Sequence, residues 1–132
     1  MLSYKVLYFQ PEEFRCPCCN KGIVASALVY FCDQVRRAWG GAVNVNSAWR
    51  CPKHNIEVGG ASTSRHLIGC AADLSPIFMR EMLSEFKGLV HRMTQDRVNW
   101  EIIMYPWGVR VAVPRSEVGN VWSGGVLNVI VK

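Results

Sequence analysis

The sequence predicts an α+β fold: a mainly antiparallel sheet packed with two principal helices, in a single domain over residues 1–132. Three observations carry this reading. A length of 132 residues suits one hydrophobic core, since domains of roughly 100–150 residues are the commonest size. Two stretches repeat apolar residues at helical spacing, and around them lie runs with a period of two, punctuated by Gly and Pro.

An extended apolar segment opens the chain, followed by Phe9-Gln-Pro-Glu-Glu-Phe14-Arg-Cys16-Pro-Cys18-Cys19. Asn20 is the expected cap of a helix running to about Trp39, with Val24, Leu28, Phe31, Val35 and Ala38 on one face. Gly40-Gly41 ends it, because glycine accepts the left-handed conformation at a helix C-terminus. Val43 to Ser47 alternates and reads as a strand that delivers Arg50. Cys51 to Thr63 contains Pro52, Gly59 and Gly60 and reads as a loop. Leu67 to Leu74 is the next strand, with Ala71 and Asp73 on one face and Cys70 and Ala72 on the other. Ser75-Pro76 has the form of a helix start, and Met79, Leu83, Phe86, Val90 and Met93 supply that helix's apolar stripe. His91, also on this helix, reads as a surface residue. Strands follow at Val98–Tyr105, Val109–Val113 and Val126–Val131, the first two joined as a hairpin by Pro106-Trp-Gly108. Trp100, Trp107 and Trp122 are expected in the core or, alternatively, as interface anchors.

Half of the residues are hydrophobic and 19% are charged, which fits a packed interior and excludes a disordered chain. The formal charge is +5, yet Arg36-Arg37 is the only basic pair. That pattern gives no reason to expect a nucleic-acid partner. Met1 to Gln10 has no charged leader followed by an apolar run, and no stretch reaches the ~20 apolar residues that span a bilayer. The expectation is a product made in the cytoplasm without membrane insertion.

Two groups of residues carry chemistry. Ser64-x-His66-x-x-Gly69-x-Ala71-x-Asp73 sets an imidazole and a carboxylate seven residues apart, which is half of a metal site. Cys16, Cys18 and Cys19, with Cys51 and His54 in Cys51-x-x-His54, offer a possible structural metal site. Against it, Cys-x-Cys-Cys is not a standard zinc-knuckle spacing, and small thiols are common in cores. In a leaderless protein the six cysteines are expected to be reduced.

The Ser-x-His…Asp segment, the upstream Ser47-x-x-Arg50 and the aromatic-x-x-Glu-Glu-Phe14-x-Cys16 opening together resemble the LAS-type zinc metallopeptidases (lysostaphin, D-Ala-D-Ala metallopeptidases, sonic hedgehog). The likeness is in particular to the small peptidoglycan peptidases of bacteria and phages. The resemblance covers most of residues 8–74. It implies a hedgehog/D-Ala-D-Ala peptidase-like fold, His66 and Asp73 as zinc ligands, Arg50 and Ser64 as substrate-binding residues, and a third, histidine ligand on a later strand. In the family that strand reads Val-His-Val-Asp or Val-His-Val-Ser; here it reads Val109-Arg110-Val111-Ala112-Val113. A guanidinium has no lone pair to give a metal, so Arg110 cannot replace the histidine, and Ala112 offers no general base. Glu101 is the nearest acidic candidate for that catalytic role.

The expectation is therefore that Arg110 takes the place of the metal cation and pairs with Asp73. On this reading the domain has lost or impaired catalysis and serves in cell-wall binding or as a structural protein, such as one of a phage virion. Peptidoglycan or another peptide, or other virion proteins, would be its partners, and it would reach the wall by lysis or in a virion. The alternative is an active zinc D-Ala-D-Ala carboxypeptidase or endopeptidase acting on peptidoglycan stem peptides. Zinc is then the cofactor if the protein is active, and none is needed otherwise.

Overall fold

The computed structural model describes residues 2–78 and 80–129. Its strands are β1 (Leu2–Lys5), β2 (Val24–Ala25), β3 (Val43–Ser47), β4 (Ala71–Pro76), β5 (Glu101–Tyr105), β6 (Gly108–Ala112), β7 (Val121–Trp122) and β8 (Val126–Val129). Its α-helices are α1 (Ser26–Trp39), α2 (Pro52–Glu57) and α3 (Leu83–Thr94). Short 3-10 turns lie at Pro11–Phe14, Arg65–Ile68, Arg80–Met82 and Arg115–Gly119.

The central sheet has the order β3-β4-β6-β5, and every pairing in it is antiparallel. Two further antiparallel pairs, β1–β8 and β2–β7, lie against α1. The fold is α+β, with α1 and α3 as its principal helices. Leu28, Val29, Phe31, Cys32 and Val35 of α1 and Phe86 and Val90 of α3 are buried in one core with Leu74, Val109 and Val111 of the sheet. Trp39 meets Phe86 edge-on at 5.2 Å and joins the two helices. Trp122 is in the core and Trp100 packs against it, whereas Trp107 is exposed on the β5–β6 turn.

Several boundaries differ from the sequence expectation, two of them because a strand pairing outweighs a local signal. Asn20 does not cap α1: it sits in a tight turn with φ of 57°. The helix begins only at Ser26, after Val24–Ala25 have paired with β7. Ser75-Pro76 does not start a helix, because both residues extend β4 against Val43 and Asn44, and α3 starts at Leu83. The segment 51–63 is not all loop, since Pro52 at the first turn and the Cys51 sulfur, which accepts from the His54 amide, start α2. Leu67 and Ile68 belong to a 3-10 turn, so β4 is regular only from Ala71. Met1, Met79 and Val131 lie outside the described residues. His91 is exposed, as expected of a surface residue.

Gly69 makes that turn possible. Its φ is 72°, and a Cβ there would lie 1.7 Å from the Ile23 carbonyl oxygen. Gly69→Ala is expected to cost about 2–5 kcal/mol, from the left-handed conformation plus the backbone shift it forces. Urea denaturation of the variant measures this.

Candidate active-site cleft

The cleft is built on one face of the sheet. In the β4–β6–β5 register Asp73 lies opposite Arg110, which lies opposite Ile103, while Ala71 lies opposite Ala112, which lies opposite Glu101. Side chains two apart on a strand share a face, so Asp73, Arg110 and Glu101 all point to the same side. Sequence parity could not decide this for Glu101, but the register does. Asp73 and Arg110 are neighbours, whereas Glu101 stands on the edge strand, exposed, two strands away from Ala71.

The 3-10 turn Arg65–Ile68 brings His66 against this face. Ser64 caps the turn by accepting from the His66 amide at 3.2 Å and lines the cleft beside it. His66 is fully buried, and its Nδ1 lies 2.6 Å from the Ala48 carbonyl oxygen. A carbonyl can only accept, so Nδ1 carries the proton. Nε2 then faces Asp73 Oδ1 at 3.3 Å, without the alignment of a hydrogen bond.

Asp73 is also held from the other side. Arg110 donates to it through Nε at 2.8 Å and Nη2 at 3.3 Å, a bidentate pair. Arg50 Nη2 stands 3.6 Å from its Oδ2. Burial would raise the Asp73 carboxyl, but the Arg110 guanidinium bonded to both its oxygens holds it below the usual carboxylate range. Burial likewise pulls Arg50 down, while for Arg110 the carboxylate of Asp73 outweighs burial and pushes the guanidinium up.

Arg50 depends on a neighbour that the sequence did not single out. Its Nε donates to Ser47 Oγ at 3.1 Å and its Nη1 to Asn55 Oδ1 at 3.3 Å. Asn55, itself buried, is fixed by donating to the Ala61 carbonyl at 3.0 Å. Gly60 leaves room for that arrangement, since a Cβ there would fall 2.1 Å from Asn55 Oδ1. Arg65 and Arg115 also line the cleft and were not legible as site residues. Both donate to neutral backbone carbonyls, Arg65 to Asn99 and Val113 and Arg115 to Thr63, and among the described residues neither forms an ion pair with a carboxylate. Arg110 in turn lies over the Tyr105 ring, 5.2 Å from its centroid.

The five sequence candidates for a structural metal site are partly assembled. Cys16, Cys18 and Cys51 place their sulfurs within 4.8 Å of one another, the one such group of three His, Cys, Asp or Glu donors among the described residues. Cys19 is exposed and outside the group. His54 is outside it too, and turns Nδ1 toward Glu57 at 3.9 Å.

A family model described as Peptidase M15 matches residues 7–94, two thirds of the chain. The chain belongs to the peptidase M15 family. Comparison with curated proteins gave no match, and neither did comparison with solved structures. M15 peptidases are zinc-dependent, so the cleft can be tested against that metal. His66 Nε2 and Asp73 Oδ1 suit it: a tetrahedral zinc with Zn–N and Zn–O near 2.1 Å sets two such donors about 3.4 Å apart, and the protonated Nδ1 leaves Nε2 as a lone-pair donor. The neighbour on the other side of Asp73 does not suit it, because Arg110, a cation without a lone pair, is bound to both Asp73 oxygens. The M15 match ends at residue 94, before β6, so the strand carrying Arg110 lies outside it. Among the described residues, two zinc donors converge here and no third.

Proposed function

We propose that this M15 domain binds peptidoglycan peptides through their carboxylates and does not hydrolyse them. The observation that carries the reading is the bidentate Arg110–Asp73 pair. It sets a fixed positive charge where a peptidase of this family needs a metal ligand. Around it Arg50, Arg65 and Arg115 line the same cleft against Glu101 and Asp73 as its acidic side chains. The surplus of positive charge suits a free peptide carboxylate, which forked guanidinium donors recognise well.

Arg50→Ala is expected to weaken binding of a stem peptide with a free C-terminal carboxylate by at least ~10-fold, about the value of one charge-assisted hydrogen bond. Calorimetry with the acid and its C-terminal amide measures this, and the amide should bind the wild type as weakly as the acid binds the variant. Equal affinity for acid and amide would reject the carboxylate reading. Zinc-dependent release of new amino groups from purified cell walls would reject the non-hydrolytic one.

The second reading is an active zinc D-Ala-D-Ala peptidase. It is favoured by the unpartnered His66 Nε2 held 3.3 Å from Asp73. It requires Arg110 to leave Asp73 and another group to bring a third donor.

A further inference from the structure

Two five-residue segments share one pattern. Cys16-Pro17-Cys18-Cys19-Asn20 and Cys51-Pro52-Lys53-His54-Asn55 both read Cys-Pro-x-(Cys or His)-Asn, with a metal-binding side chain at the first and fourth places. They also fold alike. The Asn20 amide donates to the Cys16 carbonyl at 2.8 Å, and the Asn55 amide donates to the Cys51 carbonyl at 3.0 Å. In the second turn the His54 amide also donates to Cys51 Sγ at 3.4 Å. Asn20 adopts a positive φ of 57°, which lets the first turn close.

The two turns face each other through sulfur. Cys51 Sγ lies 3.7 Å from Cys16 Sγ and 3.6 Å from Cys18 Sγ. A disulfide would need about 2.05 Å. Thiolates on one tetrahedral zinc, with Zn–S of about 2.3 Å, stand about 3.75 Å apart. Both distances match that spacing, and all three sulfurs lie within 4.8 Å of one another. Cys16 is buried, Cys51 is half-buried and Cys18 is exposed, so the site opens to solvent on one side and an ion can enter.

We propose that Cys16, Cys18 and Cys51 bind one zinc ion as a structural site, with the fourth position closed by Cys19 or His54 at the ends of the two turns. Three thiolates select a soft cation over magnesium or calcium. The site stands apart from the His66–Asp73 pair and supplies no chemistry to the cleft. Its place in the fold gives it a purpose there all the same. Cys51 directly follows Arg50, and Asn55, which closes the second turn, is the residue that holds Arg50 Nη1. An ion tying the 16–20 turn to the 51–55 turn fixes the wall of the cleft that carries Arg50.

Cobalt(II) titration of the reduced full chain tests this. The expected result is one equivalent bound with thiolate-to-cobalt charge-transfer absorption and the strong visible bands of a tetrahedral ion, displaced by one equivalent of zinc. Cys51→Ser and Cys18→Ser should abolish or weaken the charge-transfer band at least tenfold, and His66→Ala should leave it unchanged. A parallel measurement needs no variant: zinc should slow alkylation of Cys18 and Cys51 in the wild type at least tenfold, and a chelator should restore it. Absence of thiolate-to-metal absorption with unprotected thiols overturns the proposal. So does a bound ion that is lost in His66→Ala and kept in Cys51→Ser, a result that would also tell against the reading of the cleft as metal-free.

Discussion

Asp73→Ala is expected to destabilise the protein by about 3–5 kcal/mol, the usual cost of removing one partner from a buried ion pair. The loss comes from what stays behind. Arg110 and the buried Arg50 would face each other across the cleft without the carboxylate that both approach. Urea denaturation measures the loss. Replacing Asp73 and Arg110 together by leucine should recover part of it, because the bidentate pair is then removed whole. The pH dependence gives a second readout. The Asp73 carboxyl is held below its ordinary value in the folded state, so its contribution is complete above the unfolded value of about 3.9 and is lost as the pH falls through the folded one. The stability gap between wild type and Asp73→Ala should therefore be widest near neutral pH and narrow steadily below pH ~4. A gap that stays constant down to pH 2 would mean that Asp73 contributes by packing and not by charge.

The parts of this molecule that sequence made legible are those set by short-range periodicity. The β5–β6 hairpin follows from alternating residues around Pro106-Trp-Gly108, and the middle of α1 from Leu28, Phe31 and Val35. Element ends were not legible, because partners far along the chain decide them. Val24–Ala25 is a strand only through Val121–Trp122, and Ser75-Pro76 stays extended only through β3. In the cleft, the motif positions could be named from their spacing and likeness, but not the groups that hold them. Asn55 gives no local sign that it holds Arg50, and Gly60 shows its use only once the Asn55 amide is seen against it. The cysteines differ in kind. Cys16-x-x-Cys19 and Cys51-x-x-His54 were both present in the sequence, and the intervening Cys18 obscured the shared Cys-Pro turn until the two segments lay side by side.

Arg110→His should convert the cleft into a zinc site. Position 110 lies directly opposite Asp73 in the sheet, flanked by the buried Val109 and Val111, so the strand can accept an imidazole without moving. The substitution removes a cation from Asp73 and adds a lone-pair donor to the two already there, giving the three-ligand set with an open position that zinc hydrolases use. Loss of one outer partner of a zinc ligand costs about 10–100-fold in affinity, and a direct donor is worth at least as much. Zinc affinity of the cleft is therefore expected to rise by ~100-fold or more, seen by chelator competition as an added equivalent that His66→Ala abolishes. Hydrolysis of cell-wall peptides need not follow, because Ala112 still leaves the strand without a base and Glu101, on the same face, is at the sheet edge. Arg110→His combined with Ala112→Asp separates the two requirements. Zinc gained by the single variant and activity gained only by the double would assign the loss of metal to one strand position and the loss of the base to the other. A wild type that already binds zinc at His66 and Asp73 as tightly as the variant would mean that Arg110 does not stand in for the metal.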